Sequence, residues 1–180
     1  MAPLTLYDSS IDLFVKAHEV LKHILKKAKN HAPEESASFP AARLYEDMRP
    51  LSFQVQNVTN YSVRCVERLL PHKKAPFPVW EEDEATLDQL FARIDESLAF
   101  LKSIEVKDLE GGLSEQVLDI KMGRSSVAIE GKGYALGIAV PNVFFHVSMA
   151  YAILRMKGVP LGKKDFSSPY VEPYVLSVSE

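Results

Sequence analysis

The sequence has one cysteine, Cys65, so neither an intrachain disulfide nor a multi-cysteine zinc site is available to it. It has no Walker loop, no dinucleotide-binding glycine motif, no nucleophile elbow and no HExxH pair, so no standard motif names a reaction. Charge of one sign is not in excess. With 21 Lys and Arg against 24 Asp and Glu, the formal net charge is −3, and no basic field favours nucleic acid. The opening MAPLTLYDSS lacks the basic start and apolar run of a secretory leader. With the lone thiol, this makes a reducing, cytoplasmic location the expectation.

What is present is ordinary for a globular protein. An apolar share of 47% over 180 residues is enough for one domain with a real core. The longest apolar run, Tyr134 to Leu154, is apolar all round. Its polar side chains besides two tyrosines are Asn142, His146 and Ser148. Asn142 and His146 are four apart and share one helix face. A helix of this kind is either central to a bundle or a membrane span. Pro141, Asn142 and His146 near its middle are costly in lipid, and the amphipathic segments before it need an apolar partner. A central helix and no membrane are therefore expected.

Those segments read as three helices and a hairpin. In residues 6–30, Ile11, Phe14, Leu21, Ile24, Leu25 and Ala28 recur at steps suited to one face, with Ser9 and Asp12 at the start. The lysines from Lys22 to Lys29 are read as a solvated face. Residues 31–48 are a connection with a possible short helix near residues 41–46. In residues 50–70, Pro50 suits a first helical position. There Leu51, Val55, Val58, Ser62, Cys65 and Leu69 form a bundle seam, with Gln54 and Tyr61 close by. Cys65 on that seam reads as a structural thiol. Residues 71–82 are a proline-rich link pinned by Phe77 and Trp80. Residues 83–103 carry the stripe Leu87, Leu90, Phe91, Ile94, Leu98 and Leu101, started by Thr86 and Gln89 as a capping box. Glu81 to Glu84 are read as complementing the helix dipole rather than ligating a metal. Residues 115–121 and 124–130 alternate as a hairpin turning at Met122-Gly123. Pro141 is expected to kink the last helix and free a carbonyl near Gly137. The segment 159–180 cannot be a regular helix throughout.

Among the histidines, His18 and His23 lie on the first helix without sharing a face. His31 and His72 sit in polar connections, and His146 lies in an apolar element. A buried imidazole and amide need partners, which a cavity holding ligand or water can supply.

The block PNVFFHVSMAYAILRMKGVPLGKKDF (141–166) resembles a family of unknown function within the DinB/YfiT-like four-helix superfamily. LYDSSIDLF, DMRPLSFQVQ and DEATLDQLFARI resemble its first three helix motifs. The resemblance implies an all-α, antiparallel four-helix bundle over residues 1–166 with a small β-hairpin before the last helix, a tail at 167–180, and a homodimer. Superfamily members typically hold a divalent metal with three histidines. The positions that match are Gln54, Asn142 and His146, so one histidine remains, and neutral amides are poor ligands for zinc or nickel. The expectation is therefore no metal and no cofactor.

The leading functional expectation is an enzyme acting on a small apolar or aromatic molecule, of isomerase, cyclase or lyase type. His146 would be general acid/base, with Asn142 and Gln54 orienting it or binding substrate. Tyr61 and Tyr151 are expected to line the pocket. The alternatives are a metal-dependent transferase or hydrolase of the superfamily type, and a non-catalytic binding protein in which Asn142 and His146 are structural. Tyr170 or Tyr174 is a candidate lid over the pocket.

Overall fold

The computed structural model describes residues 4–70 and 76–176. Pro71, His72, Lys73 and Lys74 lie outside the described residues. The architecture is all-α with one small hairpin. Helix α1 is Ile11–His31, α2 is Leu51–Leu69, α3 is Leu87–Lys102, and the long α4 is Gly131–Met156. Strands β1 (Val117–Met122) and β2 (Ser125–Glu130) precede α4, and α5 (Lys163–Val171) follows it. In the bundle α1 and α2 each pack against both α3 and α4, and α5 lies on α1.

The stripes of α1 and α2 are the core. All six expected positions on each helix are fully buried, and burial raises the Cys65 thiol pKa to about 12. Helix α1 starts later than its periodicity suggests. Thr5 donates to the Asp8 carboxylate through both its backbone N–H and its hydroxyl, which closes a local turn. The Ser10 hydroxyl donates back to Leu6 O at 2.5 Å instead of capping α1. The short helix expected near residues 41–46 does not form; a 3₁₀ turn at Pro33–Ser38 lies earlier in that connection. Pro50 is the extended residue before α2 rather than its first helical residue.

The capping box at α3 forms as expected: Gln89 N donates to Thr86 Oγ1, and Thr86 N donates to Gln89 Oε1. The acidic segment before it has a different use. Glu82 and Glu84 accept from the guanidinium of Arg93 at 2.9 and 2.7 Å. Arg93 is 2% exposed, donates as well to Thr59 and Asn60, and lies over the Trp80 ring at 4.3 Å. Trp80 donates to Glu96, and Phe77 meets Phe100 edge-on, so both aromatics pin the link.

The hairpin turn is Gly123-Arg124, one residue later than expected, because Met122 pairs with Ser125. Gly123 has φ +61°, the conformation the first turn residue requires. Gly131, at the start of α4, sits so close to the preceding segment that a Cβ would lie 2.3 Å from Leu113 O.

Helix α4 is 26 residues long with a mean hydropathy of 1.5 in its most apolar window, enough by length and composition to cross a membrane. In the structure its inner side meets α1 and α2, and Leu136, Phe145 and Met156 remain exposed. The irregularity expected from Pro141 takes the form of a π-helical segment at Ala135–Ala139, in which Val140 N donates to Ala135 O. Pro141 follows directly, at the start of the regular stretch, and without an N–H it cannot donate to Gly137 O, as expected. Gly158, with φ +84°, ends α4. Beyond it, α5 runs on to Val171, past the expected boundary at residue 166. Asp165 ties α5 to α1 by accepting from His23 and Lys27.

Candidate functional site

The packing of α2 on α4 brings Gln54 and His146 together although they are 92 residues apart. His146 Nδ1 lies 2.8 Å from Gln54 Oε1, and Gln54 Nε2 donates to Arg49 O at 3.0 Å. Because the Gln54 nitrogen already donates, its oxygen faces the imidazole, and Nδ1 is the nitrogen that carries the proton. Nε2 is then a bare acceptor. It has no protein partner among the described residues, and the residue is 8% exposed.

Three rings surround this imidazole. Phe53 and Phe145 meet it edge-on, with centroids at 5.9 and 5.2 Å, and Tyr61 stacks on it at 6.0 Å. Burial in this apolar setting lowers the His146 pKa to about 4, so the imidazole is neutral near pH 7. The free protein therefore offers a base there, not an acid.

Asn142 does not join this chain. Its amide donates to Ile138 O at 2.7 Å, one turn back along α4. It lines a cavity of about 620 Å³ between α2, the hairpin and the π-helical segment. Tyr61 lines the same cavity, together with Arg64, Arg68 and Tyr134, whereas Gln54 and His146 do not. Tyr61 thus touches the imidazole as well as lining the cavity.

Tyr151 is not part of the cluster. It is roughly half a turn round α4 from Asn142, its hydroxyl donates to Leu161 O at 3.3 Å, and its ring meets Phe166. The candidate lid residues are also elsewhere. Tyr170 packs between Phe144 and Phe166, and Tyr174 lies under Lys16 of α1. Neither lines the cavity.

The fold also places two polar groups that the sequence does not mark. His18 is fully buried, with Nδ1 at 2.7 Å from Phe14 O and Nε2 at 2.8 Å from Ser97 Oγ. The available signal was its place in the series 11, 14, 18, 21, 25, which is the core stripe itself. Arg64 and Arg68 are one turn apart on α2, but no spacing links them to Tyr134, because α2 and α4 meet only in the fold.

Residues 6–167 match the domain of unknown function DUF1993. The chain belongs to the DUF1993 family. The crystal structure of a DinB family member protein from Shewanella denitrificans is similar to this DUF1993 chain at a TM-score of 0.79 and 30% identity, over 89% of this chain and 90% of that one. Fold and family are thus those that the 141–166 block suggested. No curated protein matches the chain.

The three-histidine metal site implied by the superfamily does not fit this DUF1993 chain. The Gln54 oxygen is held by the His146 N–H, which leaves one imidazole nitrogen and the neutral Asn142 amide oxygen, a poor set for zinc or nickel. Among the described residues no three His, Cys, Asp or Glu side chains converge on a possible ion.

Proposed function

We propose that this DUF1993 protein is an enzyme that moves a proton on a small organic molecule, with His146 Nε2 as the base. The observation that carries this reading is the oriented chain from Arg49 O through the Gln54 amide to His146 Nδ1, which leaves Nε2 bare. A base held in one tautomer by a second group is the arrangement general-base chemistry needs.

The proton passes from a carbon or heteroatom of the substrate to Nε2. The imidazolium that forms is stabilised by Gln54 Oε1 at Nδ1–H and by the Tyr61 ring face. Return of the proton to a different substrate atom completes an isomerisation; departure of a leaving group from the neighbouring carbon completes an elimination. A pKa near 4 makes Nε2 a weak base in the free protein. Bound substrate then has to supply part of the driving force, as an acidic C–H or as a nearby negative charge.

The test is deuterium incorporation from heavy water into a panel of small aromatic and unsaturated acids, ketones and lactones. Wild-type protein should label at least one compound, and H146A should lower that rate by about 10²–10⁴-fold. Undiminished labelling by H146A, or near-stoichiometric zinc in purified protein that H146A loses, would overturn the reading.

A further inference from the structure

The cavity beside His146 has a polar character of its own. Arg64 and Arg68 are one turn apart on α2 and both line it. Like charges at that spacing repel each other on a helix. Here no carboxylate pairs with either among the described residues, and no Asp or Glu lines the cavity. Arg68 is half-buried and Arg64 exposed, while the buried cations Arg93 and Lys16 are matched by Glu82 and Glu84 and by Asp12.

Tyr134 supplies the second observation. It is 1% exposed, and its ring carries the Arg68 guanidinium at 4.6 Å. Its hydroxyl has no hydrogen-bond partner among the described residues, and Tyr134 lines the cavity. Two arginines, Lys121 and a buried tyrosine thus line a cavity without acids. The Arg68 fork is held in place by the ring it stacks on. Across the cavity Ile120 and Ile138 are apolar, and Tyr61 connects to the imidazole.

We propose that this cavity binds a small organic oxyanion, a carboxylate or phosphate on an aromatic or branched apolar body. Arg64, Arg68 and Tyr134 Oη anchor the anionic group. The apolar body lies between Ile120, Ile138 and Tyr61, and Tyr61 leads from it to His146. The proposal names the substrate class for the His146 reading and rests on that reading for its catalytic meaning, but not for binding.

Binding is therefore measured without turnover, by calorimetric titration of the full-length protein with benzoate, phenyl phosphate and the neutral control benzyl alcohol at low ionic strength. Benzoate or phenyl phosphate should bind, and whichever binds identifies the oxyanion. Affinity should fall by about tenfold or more in R64Q/R68Q and by about threefold or more in Y134F, which removes one hydroxyl and keeps the ring. Binding of neither anion, equal affinity in R64Q/R68Q, or equally tight binding of benzyl alcohol would overturn the proposal. Anion binding that survives in H146A while proton exchange also survives would sink the catalytic reading alone.

Discussion

His146 and Gln54 form one hydrogen-bonded unit across the α2–α4 interface, Nδ1 to Oε1 at 2.8 Å, with the amide anchored in turn on Arg49 O. A carboxylate in place of that amide would stand beside the imidazole in the same apolar surroundings. Q54E should therefore raise the His146 pKa from about 4 toward or above 6.5, because a negative neighbour favours the imidazolium. Titration of the ring protons by NMR checks this; an unmoved midpoint would mean that the two side chains do not meet in solution.

Acid should destabilise the fold in a window set by its buried imidazoles. His18 is held neutral by burial, with a pKa lowered to about 4 against 6.5 when unfolded. Its contribution is complete above pH 6.5, declines as pH falls below 6.5, and is fully lost below about pH 4. At pH 5 the loss is about 2 kcal/mol from His18 alone. His146, lowered to the same value, adds a loss of the same sign and similar size. Urea unfolding at pH 7.5 and pH 5 measures the difference, and H18Q should remove about half of it. An equal loss in H18Q would assign the effect to other groups.

Arg93 holds the link before α3 to the bundle through Glu82, Glu84, Asn60 and Thr59. R93L should destabilise by about 3 kcal/mol, largely because Glu84, whose side chain is 9% exposed, is left charged without its partner. E84Q in the same chain should restore part of that, because a neutral amide costs less to bury. A double variant no more stable than R93L would show that the guanidinium matters for its other contacts.

Much of this was legible in the chain. The α1 and α2 stripes follow a three-and-four step because burial on a helix has that period, and every stripe position is buried. Gln54 and His146 stood out because each is polar beside apolar neighbours. Arg93 was not legible: its burial depends on acids that a proline-rich link brings back to it, a relation with no period. Tyr151 was misplaced for a related reason. An all-apolar helix has no polar face to show which side looks inward, although the nine-residue step from Asn142 to Tyr151 already sets them on opposite sides. His18 shows the opposite failure, a residue on the core stripe passed over because its type is usually polar.

Gly131 should tolerate no side chain. An added Cβ meets Leu113 O at 2.3 Å and Leu69 Cδ2 at 3.0 Å, and the first of these is backbone that cannot rotate away. G131A should cost about 2 kcal/mol or more and loosen the hairpin. Thermal unfolding with hydrogen exchange at β1 and β2 reads both effects; a near-neutral G131A would mean that the hairpin seat is soft.

The π-helical segment at Ala135–Ala139 holds one residue more than an α-helical turn would need. It lies between Tyr134 and the pair Asn142 and His146, so it sets the angular offset between the two ends of α4. Loss of a single codon within 135–139 would let the segment relax to α-helix and turn Tyr134 by about 100° relative to His146. Such a change would keep the packing of α4 from Asn142 onward while moving Tyr134 and the hairpin end of the helix relative to the imidazole. Divergence of ligand preference on this scaffold thus has a one-step route through length rather than through side-chain replacement.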